Sequence, residues 1–146
     1  MTAFHAALGI ACVAVNLLAG LVGTWSWWRH RHSRAFWLLL RGGQALVALT
    51  AIDGLILNAT GRDLPELHLV YGLTPLGVSF LAEQLRLASA DSVLQSRDLD
   101  DAQAMRALPD PEQREIVRAI LRRETGVMTA SALVVAVLAL RAGGWL

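Results

Sequence analysis

The chain has no lysine and one cysteine in 146 residues. All 13 basic residues are arginine, a usage we attribute to genome composition rather than mechanism. The lone Cys12 excludes an intramolecular disulfide and any CxxC redox or zinc pair. There is no glycine-rich phosphate loop, no nucleophile elbow and no HExxH, so the usual residue patterns for nucleotide, acyl-transfer and metalloprotease chemistry are missing. The sequence shows no internal repeat and no low-complexity tract. No basic region precedes the first apolar segment, which is also too long for the apolar core of a cleavable signal peptide. The formal net charge of +1 decides little, because in so apolar a chain the placement of charge matters more than its sum.

What is present is hydrophobic length. Apolar residues make up 55% of the chain and the mean hydropathy is +0.47, too apolar for a soluble domain of this size. Residues 3–28 carry no charge beyond His5, which can be neutral, and residues 42–61 carry one acid, Asp53. A third run holds Glu66 and His68 near its start and meets Glu83 and Arg86 at its end. A fourth, "TGVMTASALVVAVLAL", extends backwards into an amphipathic helix. The pattern predicts one domain over residues 1–146. Its fold class is all-α, an integral membrane up-down-up-down four-helix bundle with a cytoplasmic helical hairpin. The spans are expected at about 3–28, 36–59, 64–88 and 122–142, with the cytoplasmic helical segment at 91–121.

Arginine placement sets the expected orientation. The first link, "RHRHSR", has three arginines and two histidines, whereas the second, "GRDLPE", has one arginine and two acids. Arg97, Arg106, Arg114, Arg118, Arg122 and Arg123 follow the third span. By the positive-inside rule the first and third links are cytoplasmic and both termini lie outside, in a multi-pass protein of the cell membrane. Trp25, Trp27, Trp28, Phe36 and Trp37 flank the basic loop as an interfacial belt, and Trp145 suits the outer end. His30 and His32 read as solvated loop residues. Arginine beside membrane fits topology better than nucleic acid, which is not an expected partner.

In the extramembrane segment, "RDLDDAQAMRAL" predicts a short helix and "PDPEQREIVRAILRR" restarts one, with Asp110 as cap and Pro111 at the first helical position. Its apolar face of Ile116, Ile120 and Leu121 is expected on the membrane surface or on a partner, with plain packing within the segment as the competing reading.

Helices in lipid associate through small and polar residues, since burying leucine away from lipid gains little. On the first span His5, Gly9, Cys12, Asn16, Gly20 and Gly23 recur every three or four residues, and on the third His68, Gly72, Pro75, Ser79, Ala82 and Arg86 repeat that spacing. The second contributes Gly43, Thr50, Gly54 and Asn58, with Gln44 and Asp53 beside them. Asp63 reads as the N-cap of the third span, with Glu66 completing a capping box. His5 and His68 then lie at the same depth, near the outer end, on helices that run in the same direction and sit diagonally in the bundle.

Three readings of that pair stay open. Each histidine can satisfy itself by a hydrogen bond near water. The two can serve as axial ligands of one haem b, with Gly9, Gly54 and Gly72 leaving room, Tyr71 beside the site, and Arg62 or Asn58 meeting the propionates. Or His5, His68 and Asp53 can hold an ion such as iron, zinc or copper, although Asp53 could equally orient an imidazole. Arg41 and Glu83, toward the cytoplasmic ends of neighbouring helices, read as a pair, with snorkelling of Arg41 or a quinone or proton site as alternatives.

The stretch "QALVALTAIDGLILNATGRDLPELHLVYGLTPL" (44–76) resembles the part of the haem A synthase family in which a helix bearing Gln and Gly meets a short outer loop and a helix opening with a ligand histidine. Gln44, Gly54 and His68 are the matching positions, and half-length members of the family are four-helix proteins of this size. The chain is similar in the same way to small four-helix b-type membrane cytochromes. The family's first ligand histidine follows a glutamate, and here only Met1, Thr2, Ala3 and Phe4 precede His5. The resemblance therefore implies haem binding rather than hydroxylation of a haem methyl group. The expected function is haem b binding for membrane electron transfer, with membrane lipid and a quinone or redox protein as partners. The alternative is a cofactor-free accessory subunit of a larger membrane complex or a homo-oligomer.

Overall fold

The computed structural model describes residues 2–61 and 65–146, and among them it is all helical. Six helices follow in order: α1 (Ala3–Trp28), α2 (Arg34–Ala59), α3 (Glu66–Leu87), α4 (Ser89–Gln95), α5 (Ala102–Arg106) and α6 (Asp110–Ala142). Local chemistry sets the boundaries. Thr2 caps α1 by accepting a hydrogen bond from the His5 N–H at 3.2 Å, and Ser33 caps α2 by accepting from the Phe36 N–H at 3.2 Å. The link between α1 and α2 turns at His30, whose φ of 52° lies in the left-handed region. The expected capping box of α3 involves Asp63, which lies outside the described residues, as does Arg62.

Four long helices run alternately up and down. The start of α1 meets the end of α2 through His5 and Asp53, and the start of α3 meets the end of α6 through His68 and the Ala142 carbonyl. α1 packs most heavily on α2 and α6, and α3 on α6, while the seam between α2 and α3 is much thinner. Going round the bundle, the order is α1, α2, α3, α6, so α1 and α3 face one another across a diagonal.

The core is layered along the axis. Cys12, Val47 and Val135 form its middle. Ala19, Phe36, Leu40, Ala82, Met128 and Ala132 form the half nearer the α1–α2 link. Small residues let helices approach there: a Cβ on Gly23 would lie 2.6 Å from Phe36 Cε2 and against the Thr129 hydroxyl, and one on Gly43 would lie 2.7 Å from Asn16 Oδ1.

Three helices, α1, α2 and α6, are long and apolar enough to cross a membrane. α3 does not reach that apolarity, since its inward stripe is His, Gly, Pro and Ser and its ends are charged. Its outward face is nonetheless apolar, with Leu67, Val70, Phe80, Leu81 and Leu85 all exposed.

α6 is one continuous helix of 33 residues, about 50 Å long at 1.5 Å per residue. Its first turns stand beyond the bundle and cover α4. Asp110 is the first helical residue of α6 rather than its cap; Pro109 stands at the cap position, and its carbonyl accepts from the Glu112 and Gln113 N–H groups. Ile116 is buried against Val93 and Leu94, with Ile120, Met105 and Leu108 packed around them. That corrects the expectation that Ile116 and Ile120 lie on membrane or partner; only Leu121 of the three is exposed. Arg97 on the link after α4 donates to Glu115 at 2.7 Å, and its guanidinium holds the Glu115 carboxyl below the ordinary carboxylate value.

Candidate functional site

The two histidines of the sequence stripes meet. His5 and His68, from diagonal helices, have ring centroids 5.8 Å apart and planes inclined by 54°. His5 is buried and His68 half-buried. Placement follows from the helix starts. Thr2 fixes the first turn of α1 so that His5 turns inward toward α2, where its Nδ1 lies 2.9 Å from Asp53 Oδ2. His68 sits in the first turn of α3, and its Nδ1 lies 2.9 Å from the carbonyl oxygen of Ala142 at the end of α6.

Both contacts select the same tautomer. The Ala142 carbonyl and the Asp53 carboxylate are acceptors, so each imidazole donates from Nδ1, which leaves Nε2 as the nitrogen not engaged by these contacts. An imidazole held in this way by an acceptor on its other nitrogen is the usual arrangement of a metal-ligating histidine. Asp53 therefore orients His5. It does not join the two histidines as a third ligand, and among the described residues no group of three His, Cys, Asp or Glu side chains could hold a metal ion. As arranged, the aspartate oxygen serves the imidazole rather than a His5–His68–Asp53 ion site.

The two rings line a cavity of about 280 Å³ between all four long helices. Gly9, Gly54, Gly72, Tyr71, Pro75 and Trp145 also line it. The glycines leave real space: a Cβ added to Gly9 or Gly72 would meet nothing within 4 Å, and one on Gly54 would approach His5 Cε1 at 3.4 Å. Pro75 lacks an N–H and so leaves the Tyr71 carbonyl without its helical donor beside this cavity.

Not every expected residue reaches the site. Asn58 is exposed on the last turns of α2 and does not line the cavity. Gln44, matched to the haem A synthase pattern, lies elsewhere: its side-chain amide donates to Glu83 Oε1 at 2.9 Å and its carbonyl accepts from Arg41 at 2.6 Å. Glu83 also pairs with Arg41 and accepts from Arg86 Nε at 2.8 Å. Arg41 and Glu83 thus form the pair the sequence suggested.

Two site residues were not anticipated. Arg141 lies over the Tyr71 ring, 5.7 Å from its centroid, and bonds the Leu146 carbonyl, which folds the C-terminus back over the cavity mouth beside Trp145. The Ala142 carbonyl had no sequence signal, since any residue would supply it; only the end of a helix, where carbonyls lack intrahelical donors, could have suggested it. Comparison with protein-family models, with curated proteins and with solved structures returns no match, so the reading of this site rests on its own residues.

Proposed function

We propose that this protein is a four-span membrane protein that binds one haem b between His5 and His68 and passes electrons within the membrane. The observation that carries this reading is the pair itself: two imidazoles from opposite corners, each anchored at Nδ1, lining one cavity with centroids 5.8 Å apart. Two metal–nitrogen bonds of about 2 Å each, with half a ring's width at either end, add up to a separation of that order.

The surroundings fit the group. Gly9 and Gly72 leave open volume beside the rings, and the cavity of about 280 Å³ borders the thin seam between α2 and α3, where a macrocycle larger than the enclosed space has room to extend. Arg141, over the Tyr71 ring at the same end, offers a polar partner for the propionates. When bound, the haem would supply a one-electron couple; the chain would supply two imidazole nitrogens and fix their orientation through Asp53 and Ala142.

The fourth span rests on α3. Its mean hydropathy is low because its inner stripe is polar, and its exposed leucines, valine and phenylalanine face where lipid would be. Arginine-rich links support a cytoplasmic position for the other end of the bundle, with the histidine end and both termini outward.

Protein produced with adequate haem supply should show a Soret band and a sharp α band on reduction. His68→Ala should abolish these or turn the spectrum high-spin, and His5→Ala should do the same. Colourless wild-type protein under those conditions overturns the reading and leaves the cofactor-free accessory subunit in its place, for which the exposed apolar face of α3 would be the docking side.

A further inference from the structure

At the opposite end of the bundle a second cavity, of about 230 Å³, opens between the α1–α2 link and α6. It is lined by Arg31, Arg118 and Arg122, by His30 and His32, and by Trp27, Ser26, Leu121 and Thr125. No carboxylate lines it. Four arginines elsewhere find one: Arg41 and Arg86 bond Glu83, Arg97 bonds Glu115, and Arg114 approaches Asp110, whereas others such as Arg29 and Arg123 share with the cavity's arginines the lack of an acidic partner among the described residues. Among the described residues Arg31, Arg118 and Arg122 have no acidic partner.

The chain is shaped to hold these groups there. His30 adopts its left-handed φ of 52°, its Nδ1 lies 3.0 Å from the Trp28 carbonyl, and the Arg31 N–H bonds back to the Ser26 carbonyl at 3.0 Å. The link thereby folds over the end of α1. Across from it, Arg118 and Arg122 stand four residues apart on α6, a spacing at which like charges face and repel each other. Arg122 lies over the Trp27 ring, 5.0 Å from its centroid. Gly126 makes room for that indole: a Cβ there would lie 3.0 Å from Trp27 Nε1. The Trp27 N–H has no acceptor among the described residues.

Three exposed arginines that line one space without a carboxylate match a phosphate group in charge, and their planar guanidinium groups suit its oxygens. We propose that this cavity binds a phosphate mono- or diester, and that its position at the arginine-rich membrane edge makes the headgroup of an anionic phospholipid the natural source. A basic pocket between helices at such an edge is a general form of lipid-headgroup site. An anion between Arg118 and Arg122 turns their repulsion into a shared attraction. This inference does not depend on the haem reading, since the two cavities lie at opposite ends of the bundle.

Full-length protein is placed in nanodiscs of equal phosphatidylglycerol and phosphatidylcholine, and the lipids retained after release are counted by native mass spectrometry. Wild type should keep one phosphatidylglycerol in about tenfold preference over phosphatidylcholine. The Arg118→Gln/Arg122→Gln protein should fall to parity, with helical content by circular dichroism unchanged. Arg31→Gln, in the link and outside the helix packing, should shift in the same direction, whereas Arg114→Gln should retain the lipid. A second arm uses phosphatidylcholine-only discs titrated with inorganic phosphate. Saturable binding there, lost in the double variant, with no preference for phosphatidylglycerol in the first arm, assigns the same chemistry to a soluble phosphate. Equal retention of both lipids by wild type together with no phosphate binding, or undiminished binding in the double variant, overturns the proposal.

Discussion

Asp53 is where a single atom separates two roles. Its Oδ2 lies 2.9 Å from Nδ1 of His5, and it is half-buried beside a cavity rather than in it. A carboxylate in that position increases the electron donation of the imidazole and so favours the oxidised, more positive state of a bound iron. Asp53→Asn keeps an acceptor oxygen in the same place but removes the charge. The variant should therefore still bind haem, with retention weakened on the order of 10- to 100-fold, the range found when such supporting partners are altered. Its midpoint potential should rise, and a potentiometric titration reads the shift. Complete loss of the pigment would mean that His5 is not held for ligation without the charge of Asp53, and an unchanged potential would leave Asp53 a bystander. The sequence showed both histidines, their common end and the glycines around them, because periodicity along a helix reports which residues share a face. It could not show which nitrogen of each ring is engaged. That depends on Ala142, a backbone carbonyl without a residue signature, and on the side-chain torsions of Asp53.

The helices themselves were legible to within a few residues, since long apolar runs punctuated by Ser33, Pro65 and Pro109 leave little choice. The packing of the segment between α3 and α6 was less so. Ile116 reads as one side of an amphipathic helix, and only the fold reveals that α4 supplies the other side through Val93 and Leu94. The start of α6 was misjudged by one residue, because an aspartate followed by proline satisfies the composition of a cap whether or not its side chain makes the bond. Close approach between elements is also invisible in composition: Gly9, Gly23 and Gly77 look alike in sequence. In the fold, Gly23 presses on the buried Phe36 and on Thr129, whereas an added Cβ on Gly77 meets nothing within 4 Å. Gly23→Ala must displace a ring that has no free volume around it, and overpacking of this kind costs about 1–3 kcal/mol. The expected result is a clearly lower thermal unfolding midpoint in detergent, while Gly77→Ala leaves the midpoint unchanged or slightly higher. Equal midpoints for both variants would mean that the α1–α2–α6 contact is looser than the structure describes.

At the scale of the whole molecule, charge is distributed to opposite ends with different consequences. One end gathers Arg29, Arg31, Arg34, Arg86, Arg118, Arg122 and Arg123 around the first link and the start of α6, and the other holds the two histidines, Asp53 and Arg141. Between them, α1 and α2 are each 26 residues long, about 39 Å by helical rise, enough to cross a hydrocarbon core of about 30 Å with a turn to spare at each side. α3 is the long helix that falls short of spanning apolarity, and it decides whether the extramembrane helices lie across the membrane from the end of α2. Cysteine labelling can read this directly, because the native Cys12 is buried and does not compete. A probe at exposed Thr60→Cys, after α2, should react with an impermeant reagent from outside, and one at exposed Ala102→Cys, at the start of α5, only from the cytoplasm. Labelling of both from the same side would mean that α3 does not cross, and the four-span reading would fall. The reverse pattern would keep the four spans and turn the molecule over, moving the histidine pair to the inner face without separating His5 from His68. Orientation and the histidine pairing are thus separate questions: arginine in the links bears on the first, and the second follows from how the starts of α1 and α3 meet the ends of α2 and α6.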